Sequence, residues 1–328
     1  GVPTLYAALA ENPALERALG VRTDVVPNTV ALSPRLGFTW RRTVDQDGMA
    51  ITKFGDLRLP GLTMLRGGIG EFRSLLGPEV VAPRVAATGL PGATLQLLCT
   101  GAAVPQPAWE AWAAGAPLPT ACAGGAPSAL TEAAPGVIAL APDYTAPRSW
   151  RANLAWSTVR AGAWVQLEGT WALTLDQPGQ VDANFAGTPR FTAAGEGRPV
   201  FVSPAGIDAA TGAVSPVEAR RTNAFGPVMV GRADLRGVAR QLVLTVAPVD
   251  PNTRRWWGTG SYVLGDVREQ TYGFNGGTAG DPRVREWARG DADVRHQLLV
   301  QGGVTARAVT LTLFGRVQSG LPFTPVVG

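Results

Sequence analysis

Residues 164–175, WVQLEGTWALTL, alternate in character. Val165, Leu167, Gly169, Trp171, Leu173 and Leu175 fall on one side, and Gln166, Glu168, Thr170, Ala172 and Thr174 on the other. A period of two over this length predicts a β-strand with one apolar and one small or polar face. The design recurs. Trp150, Ala152, Leu154 and Trp156 alternate with Arg151, Asn153, Ala155 and Ser157, and the short turn 159–163 joins the two stretches as a hairpin. Val30, Leu32, Pro34, Leu36, Phe38 and Trp40 alternate with Ala31, Ser33, Arg35, Gly37 and Thr39. Leu95, Leu97 and Cys99 repeat the pattern, and LRGGIGEF (65–72) is a glycine-heavy strand or bend. QLVLTVA (241–247), GSYVLG (260–265), VRHQLLVQG (294–302) and AVTLTLFGRVQSG (308–320) bring the total to about nine candidate strands. In the last, Val309, Leu311, Leu313 and Val317 face one way, and Thr310, Thr312, Phe314 and Arg316 the other. NAFGPVMVGRADLRG (223–237) reads equally as strand or loop. The best helix pattern is 4–19, which Pro13 is expected to break.

Connection lengths sharpen the picture. The turns at 159–163 and 303–307 are short, while 100–147, 176–222 and 266–292 are long and irregular. Loops that long are rare in compact soluble domains. Short turns on one side of a sheet and long loops on the other are the plan of outer-membrane barrels. The expected fold is therefore all-β, an antiparallel transmembrane β-barrel with long extracellular loops.

Composition agrees. Charged residues make up 16% of the 328, against roughly 25% in ordinary soluble domains. Glycine (41) and proline (27) supply many turns. No apolar run is long enough for a transmembrane helix. Lys53 is the only lysine and the arginines are scattered, so the net charge of +4 does not form a nucleic-acid surface. Cys99 and Cys122 fit no metal motif; a disulfide between them is expected, implying an oxidising compartment. The start at Gly1 and the end on SGLPFTPVVG read as an excerpt of a longer chain.

Motifs for chemistry are sparse. His296 is the only histidine and sits in a strand pattern beside Arg295, with no nucleophile signature to partner it. Asp281, Glu286, Asp291 and Asp293 cluster, yet Arg283, Arg285, Arg289 and Arg295 are interleaved with them, so local ion pairing is expected rather than a calcium site. GTGSYVLG (258–265) lacks the Lys and helix of a phosphate loop. No cofactor, no metal site and no enzymatic activity are expected. Trp40, Trp150, Trp156, Trp164, Trp171, Trp256 and Trp257 fall near strand ends, as interfacial aromatic girdles would.

Several phrases together resemble barrel strands of TonB-dependent outer-membrane receptors: SPRLGFTW (33–40), LRGGIGEFR (65–73), RSWRANLAWS (148–157), GRPVFV (197–202), YVLGDVREQTYGF (262–274), DPRVREWARGDADVRHQ (281–297) and SGLPFTP (319–325). The nearest group is the Oar-like receptors, which carry a carboxypeptidase-regulatory-like domain ahead of the plug. The resemblance implies an outer-membrane location, a barrel closed by a plug domain and energised by the inner-membrane TonB complex, and uptake of a bulky nutrient: a metal chelate, oligosaccharide or peptide. No plug domain, energy-coupling box or C-terminal aromatic strand end is present. Residues 1–328 would thus form part of one barrel domain, too short to close the roughly 22-stranded barrel of such transporters.

Two other readings compete: a secreted soluble β-sandwich or propeller-like binding module, and a hydrolase using loop carboxylates. The second strand face discriminates. In soluble strands it carries Lys, Glu and Asp; here it carries Gly, Ala, Ser, Thr, Asn, Gln and single Arg or Glu. On the receptor reading Leu167, Trp171, Leu173, Leu311 and Leu313 face outer-membrane lipid, and Gln166, Glu168, Thr170, Arg151 and Asn153 face a lumen.

Overall fold

The computed structural model describes residues 9–27, 31–42, 62–90, 99–117, 119–125, 134–195, 197–248, 255–272 and 281–323. The Asp45-Gln46-Asp47-Gly48 stretch, whose residue types predict a turn, and the strand positions Leu95 and Leu97 lie outside them.

Eight long strands form an antiparallel meander: β1 (Arg35–Arg42), β2 (Thr63–Arg73), β4 (Arg148–Arg160), β5 (Ala163–Asp182), β8 (Val228–Pro248), β9 (Trp256–Thr271), β11 (His296–Ala306) and β12 (Val309–Gln318). Each pairs with its neighbours in that order. Short β3 (Val137–Leu140) pairs parallel with β8, and β10 (Glu286–Arg289) antiparallel with β9. β6 (Phe191–Thr192) and β7 (Pro199–Val200) make a separate two-stranded sheet. Among the described residues β1 and β12 are paired on one side only.

The connections after β2, β5 and β9 are long and leave from one end; at the other end those after β4 and β11 are two-residue turns, while those after β1 and β8 span 43–62 and 249–255. Ala161 (φ 50°) and Gly162 (φ 73°) form one turn, and Arg307 (φ 54°) stands in the other. Positive φ matches the twist of such hairpins. Both turns are tighter than the five residues expected.

The 4–19 pattern is interrupted at Pro13, as expected: residues 9–12 are not helical, and Pro13 opens α1 (Pro13–Leu19), where its missing N–H costs nothing. Asn12 caps the helix by accepting from Leu15 N at 3.1 Å, and Gly20 ends it at φ 71°. Several sequence expectations need correction. The strand expected over 30–40 begins at Arg35. Residues 176–182, expected as loop, continue β5 past a bulge at Asp176 (φ 57°), where the register to β8 shifts. The ambiguous 223–247 is resolved: β8 runs unbroken from Val228. The other helices are α2 (Pro78–Ala86) and α3 (Trp109–Ala113), the latter starting within the PAWEAW stretch (107–112). Cys99 and Cys122 are joined by a disulfide.

A small apolar core sits at the long-loop end. Leu15 and Leu19 of α1 pack with Val137, Phe225 and Val228. Asn184, fully buried, ties the 183–227 connection together. Its Nδ2 lies 2.9 Å from the carbonyls of Thr222, Phe225 and Gly226, and its Oδ1 accepts from Thr222 N. Asp182 Oδ1 accepts from Asn184 N and Val228 N, both at 2.8 Å, closing the loop at its base.

Candidate functional site: a cavity under the small and polar face

The register carries the alternation across all eight strands. Leu36 faces Ile69, which faces Ala152, which faces Trp171, and the row then passes to the charged pair Arg240 and Asp266. Two rows along, Trp40, Leu65, Trp156, Leu167, Leu244, Tyr262, Leu298 and Val317 are successive partners. This face is the exposed one. Leu154 is 53% exposed, while Ala155 and Ser157 on the opposite face are 2% and 5% exposed. In a soluble sheet the apolar face is the covered one; here it is the more exposed one on the inner strands, while β1 and β12 are exposed on both faces. Phe314, on the other face of edge strand β12, is the one large exposed hydrophobic of the eight strands that departs from the pattern.

A half-open cavity of about 860 Å³ lies against the small and polar face, with Leu36, Ile69 and Trp171 of the opposite face also contributing to its lining. Residues of both β1 and β12, the two ends of the meander, line it, so the sheet is curled around it. Arg151, Asn153, Glu168 and Thr170 of the sequence-selected set are in its wall. Asn153 faces Thr170 and Ala155 faces Glu168 across the β4–β5 pair. Gln166 shares the face without lining the cavity and donates from Nε2 to Glu168 Oε2 at 2.8 Å. Arg66 Nη2 stands 3.8 Å from the same oxygen. Leu167 and Leu173, with Trp171 between them, lie on the opposite, outer face, as do Leu311 and Leu313 opposite Val304 and Gly302.

Sequence reading missed the centre of the wall. Gly70 on β2 is the register partner of Arg35 on β1 and also of Arg151 on β4. The absence of a side chain at Gly70 leaves room for its neighbours: a Cβ there would meet Arg35 Cγ at 2.8 Å and Arg35 Cβ at 3.2 Å. Phe72, two residues along on the same face, receives both guanidiniums. Arg35 Cζ lies 4.3 Å from its ring centroid and Arg151 Cζ 5.3 Å. Cation–π contact of this kind holds a guanidinium in place while its N–H groups stay free to donate. Arg316 lines the same cavity from β12. The RGGIGEF phrase held the signal, small–aromatic spacing on one strand face, but which arginines it would meet depends on register.

The other candidates lie elsewhere. His296 opens β11, where its Nδ1 is 2.7 Å from the Tyr262 hydroxyl. The acidic cluster is spread among arginines. Asp281 pairs with Arg283 at 2.6 Å, which holds its carboxyl below the usual range, and Asp293 pairs with Arg289 at 2.8 Å. Arg295 reaches Asp266 at 2.9 Å, and Arg285 lies 4.0 Å from Asp234. Among the described residues no three His, Cys, Asp or Glu side chains are grouped to hold a metal. Residues 258–265 are strand, within β9.

Comparison with models of known protein families, with curated proteins and with solved structures finds no match to this chain.

Proposed function

We infer that the chain is part of the wall of a bacterial outer-membrane receptor of the TonB-dependent kind, with its apolar face against lipid and its small and polar face toward a lumen. The observation that carries this reading is the exposed apolar face, aligned by register across eight strands, with the opposite face covered on the inner strands at such positions as Ala155, Ser157 and Val263. Water on the outer face would leave the Leu154, Leu167, Leu244 and Leu298 side chains wet, at roughly 25 cal/mol per Å². Lipid removes that cost.

Dimensions support it. Residues 165–173 of β5 run about 26 Å at roughly 3.3 Å per residue, the length of a tilted membrane-spanning strand. Trp40, Trp156, Trp171 and Trp256 are exposed on the outer face. Charges gather at the long-loop border of the apolar rows: Glu71 with Arg73 at 2.7 Å, Arg148 with Asp176 at 2.7 Å, and Arg240 opposite Asp266. Among the described residues no helix is long and apolar enough to cross a membrane, so any crossing uses strands. In this reading the long connections are extracellular, a plug domain and the inner-membrane TonB complex are partners, and the cavity lies on the path of a bulky nutrient.

Partition between aqueous buffer and detergent micelles tests the reading. The protein is expected to sediment as aggregate without detergent and to be monodisperse with it. A monodisperse, folded chain in plain buffer would overturn the proposal.

A further inference from the structure

We propose that the Arg35–Phe72–Arg151 wall of the cavity, with Arg316 across from it, binds a small polyanion carrying carboxylate or phosphate groups. The proposal names the ligand class of the cavity described above and rests on that reading of it.

The first argument is the charge balance. Arg35, Arg151 and Arg316, with Arg240 from the outer face, line one cavity with a single carboxylate, Glu168, which already has Gln166 and Arg66 as neighbours. Among the described residues none of the three arginines has a carboxylate within ion-pair distance. Several arginines elsewhere do. Arg73 and Arg148 share Glu71, Arg289 has Asp293, and Arg295 has Asp266. Three guanidiniums in one concave wall repel one another and raise the local anion concentration.

The second argument is that the arrangement is built. Arg35 and Arg151 come from different strands and flank one glycine, so their side chains cross a gap with no Cβ in it. Phe72 then fixes both guanidiniums over one ring. Arg151 Nε donates to Ser149 Oγ at 2.9 Å, which orients it and leaves its two terminal NH2 groups for a ligand. A planar fork with free paired N–H groups matches carboxylate and phosphate oxygens two at a time. The cavity, about 860 Å³, is within the usual range for small-molecule sites. A single isolated guanidinium would fit a lone anion; three around one space fit a ligand with several charges.

Isothermal calorimetry on the chain refolded in micelles tests this, with citrate and pyrophosphate as the polycarboxylate and polyphosphate probes and glucose as the neutral one. We expect one site for at least one polyanion and none for glucose. Arg35→Ala and Arg151→Ala should each weaken binding at least tenfold, with Arg→Lys at either position intermediate because the fork is lost and the charge kept. Gly70→Ala should weaken binding by displacing Arg35, and Glu168→Gln should tighten it several-fold. Arg268→Ala, outside the cavity, should change nothing. Folded, micelle-bound protein that takes up neither polyanion, or binding indifferent to Arg35 and Arg151, would overturn the anion site and leave the membrane reading standing. A chain monodisperse in plain buffer that still binds through these arginines would do the reverse.

Discussion

Trp156 on β4 and Leu167 on β5 are register partners on the exposed face, and the adjoining pair, Ser157 and Gln166, lies on the opposite face, where Ser157 is buried. A charge added at one position should therefore behave very differently from a charge added one residue away. In a bilayer, arginine on the lipid face costs roughly 2–4 kcal/mol at the midplane and little near the interfaces. Leu167 is well inside the apolar rows, whereas Leu173 is opposite Trp150 and Val238, one row from Arg240. Leu167→Arg should block assembly into lipid vesicles, Leu173→Arg should impair it less, and Thr170→Arg should be tolerated. Heat-modifiable migration of the vesicle-assembled protein on a gel reads all three. Equal tolerance of arginine at 167 and 170 would contradict the assignment of faces.

How much of this was legible depends on the environment of each stretch. The β4–β5 hairpin as far as Leu175, and β12 apart from Phe314, were readable because one face is apolar and the other is not. The first half of β8 was not. Val228 is buried in the core with Leu15 and Phe225, and the strand also takes a parallel partner in β3, so VMVGRADLRG sees protein on both sides and loses its simple alternation. Residues 176–182 were hidden by the bulge at Asp176 and by Pro178, both of which usually mark a strand's end. The Cys99–Cys122 pairing was readable because there are only two cysteines. The meeting of Arg35, Gly70 and Arg151 was not, because it depends on the register of three strands separated by long connections.

Removing the disulfide should loosen one segment and spare the sheet. Cys99 and Cys122 are 23 residues apart and belong to a region outside the meander. Closing a loop of that length stabilises by about 3 kcal/mol on the chain-entropy view. Cys99→Ala/Cys122→Ala should expose residues 99–125 to trypsin-free proteases such as thermolysin while the far-ultraviolet strand signal is unchanged. Mass spectrometry of the unreduced wild type should find the two cysteines linked.

Asn184 offers a sharper test of the loop core. Its side chain faces three carbonyls and one N–H. Alanine would leave those groups buried without a partner, at about 1–3 kcal/mol for each one that water cannot reach. Asn184→Ala should raise amide exchange through 183–227 by tenfold or more, with exchange in β4 and β5 below the bulge unaffected. Asn184→Asp should also fail, since a carboxylate cannot donate to the carbonyls.

The Tyr272 hydroxyl ties the top of β9 to β8, donating to Asp234 Oδ1 at 2.6 Å. Tyr272 is 2% exposed, and burial, followed by the hydrogen bond and the charge of Asp234, pushes its pKa well above the usual 10. The folded state thus holds this proton more tightly than the unfolded state. The stability it contributes is complete below pH 10 and is lost as pH rises from there toward the higher folded value. Of the four tyrosines, Tyr272 should be the last to give the 295 nm phenolate signal, and only as the loop end unfolds. Tyr272→Phe should remove that late phase and lower stability at neutral pH by about 1–3 kcal/mol, because Asp234 loses a buried donor. If the late phase survives in Tyr272→Phe, the slow titration belongs to another tyrosine and the Tyr272–Asp234 tie does not control the alkaline transition.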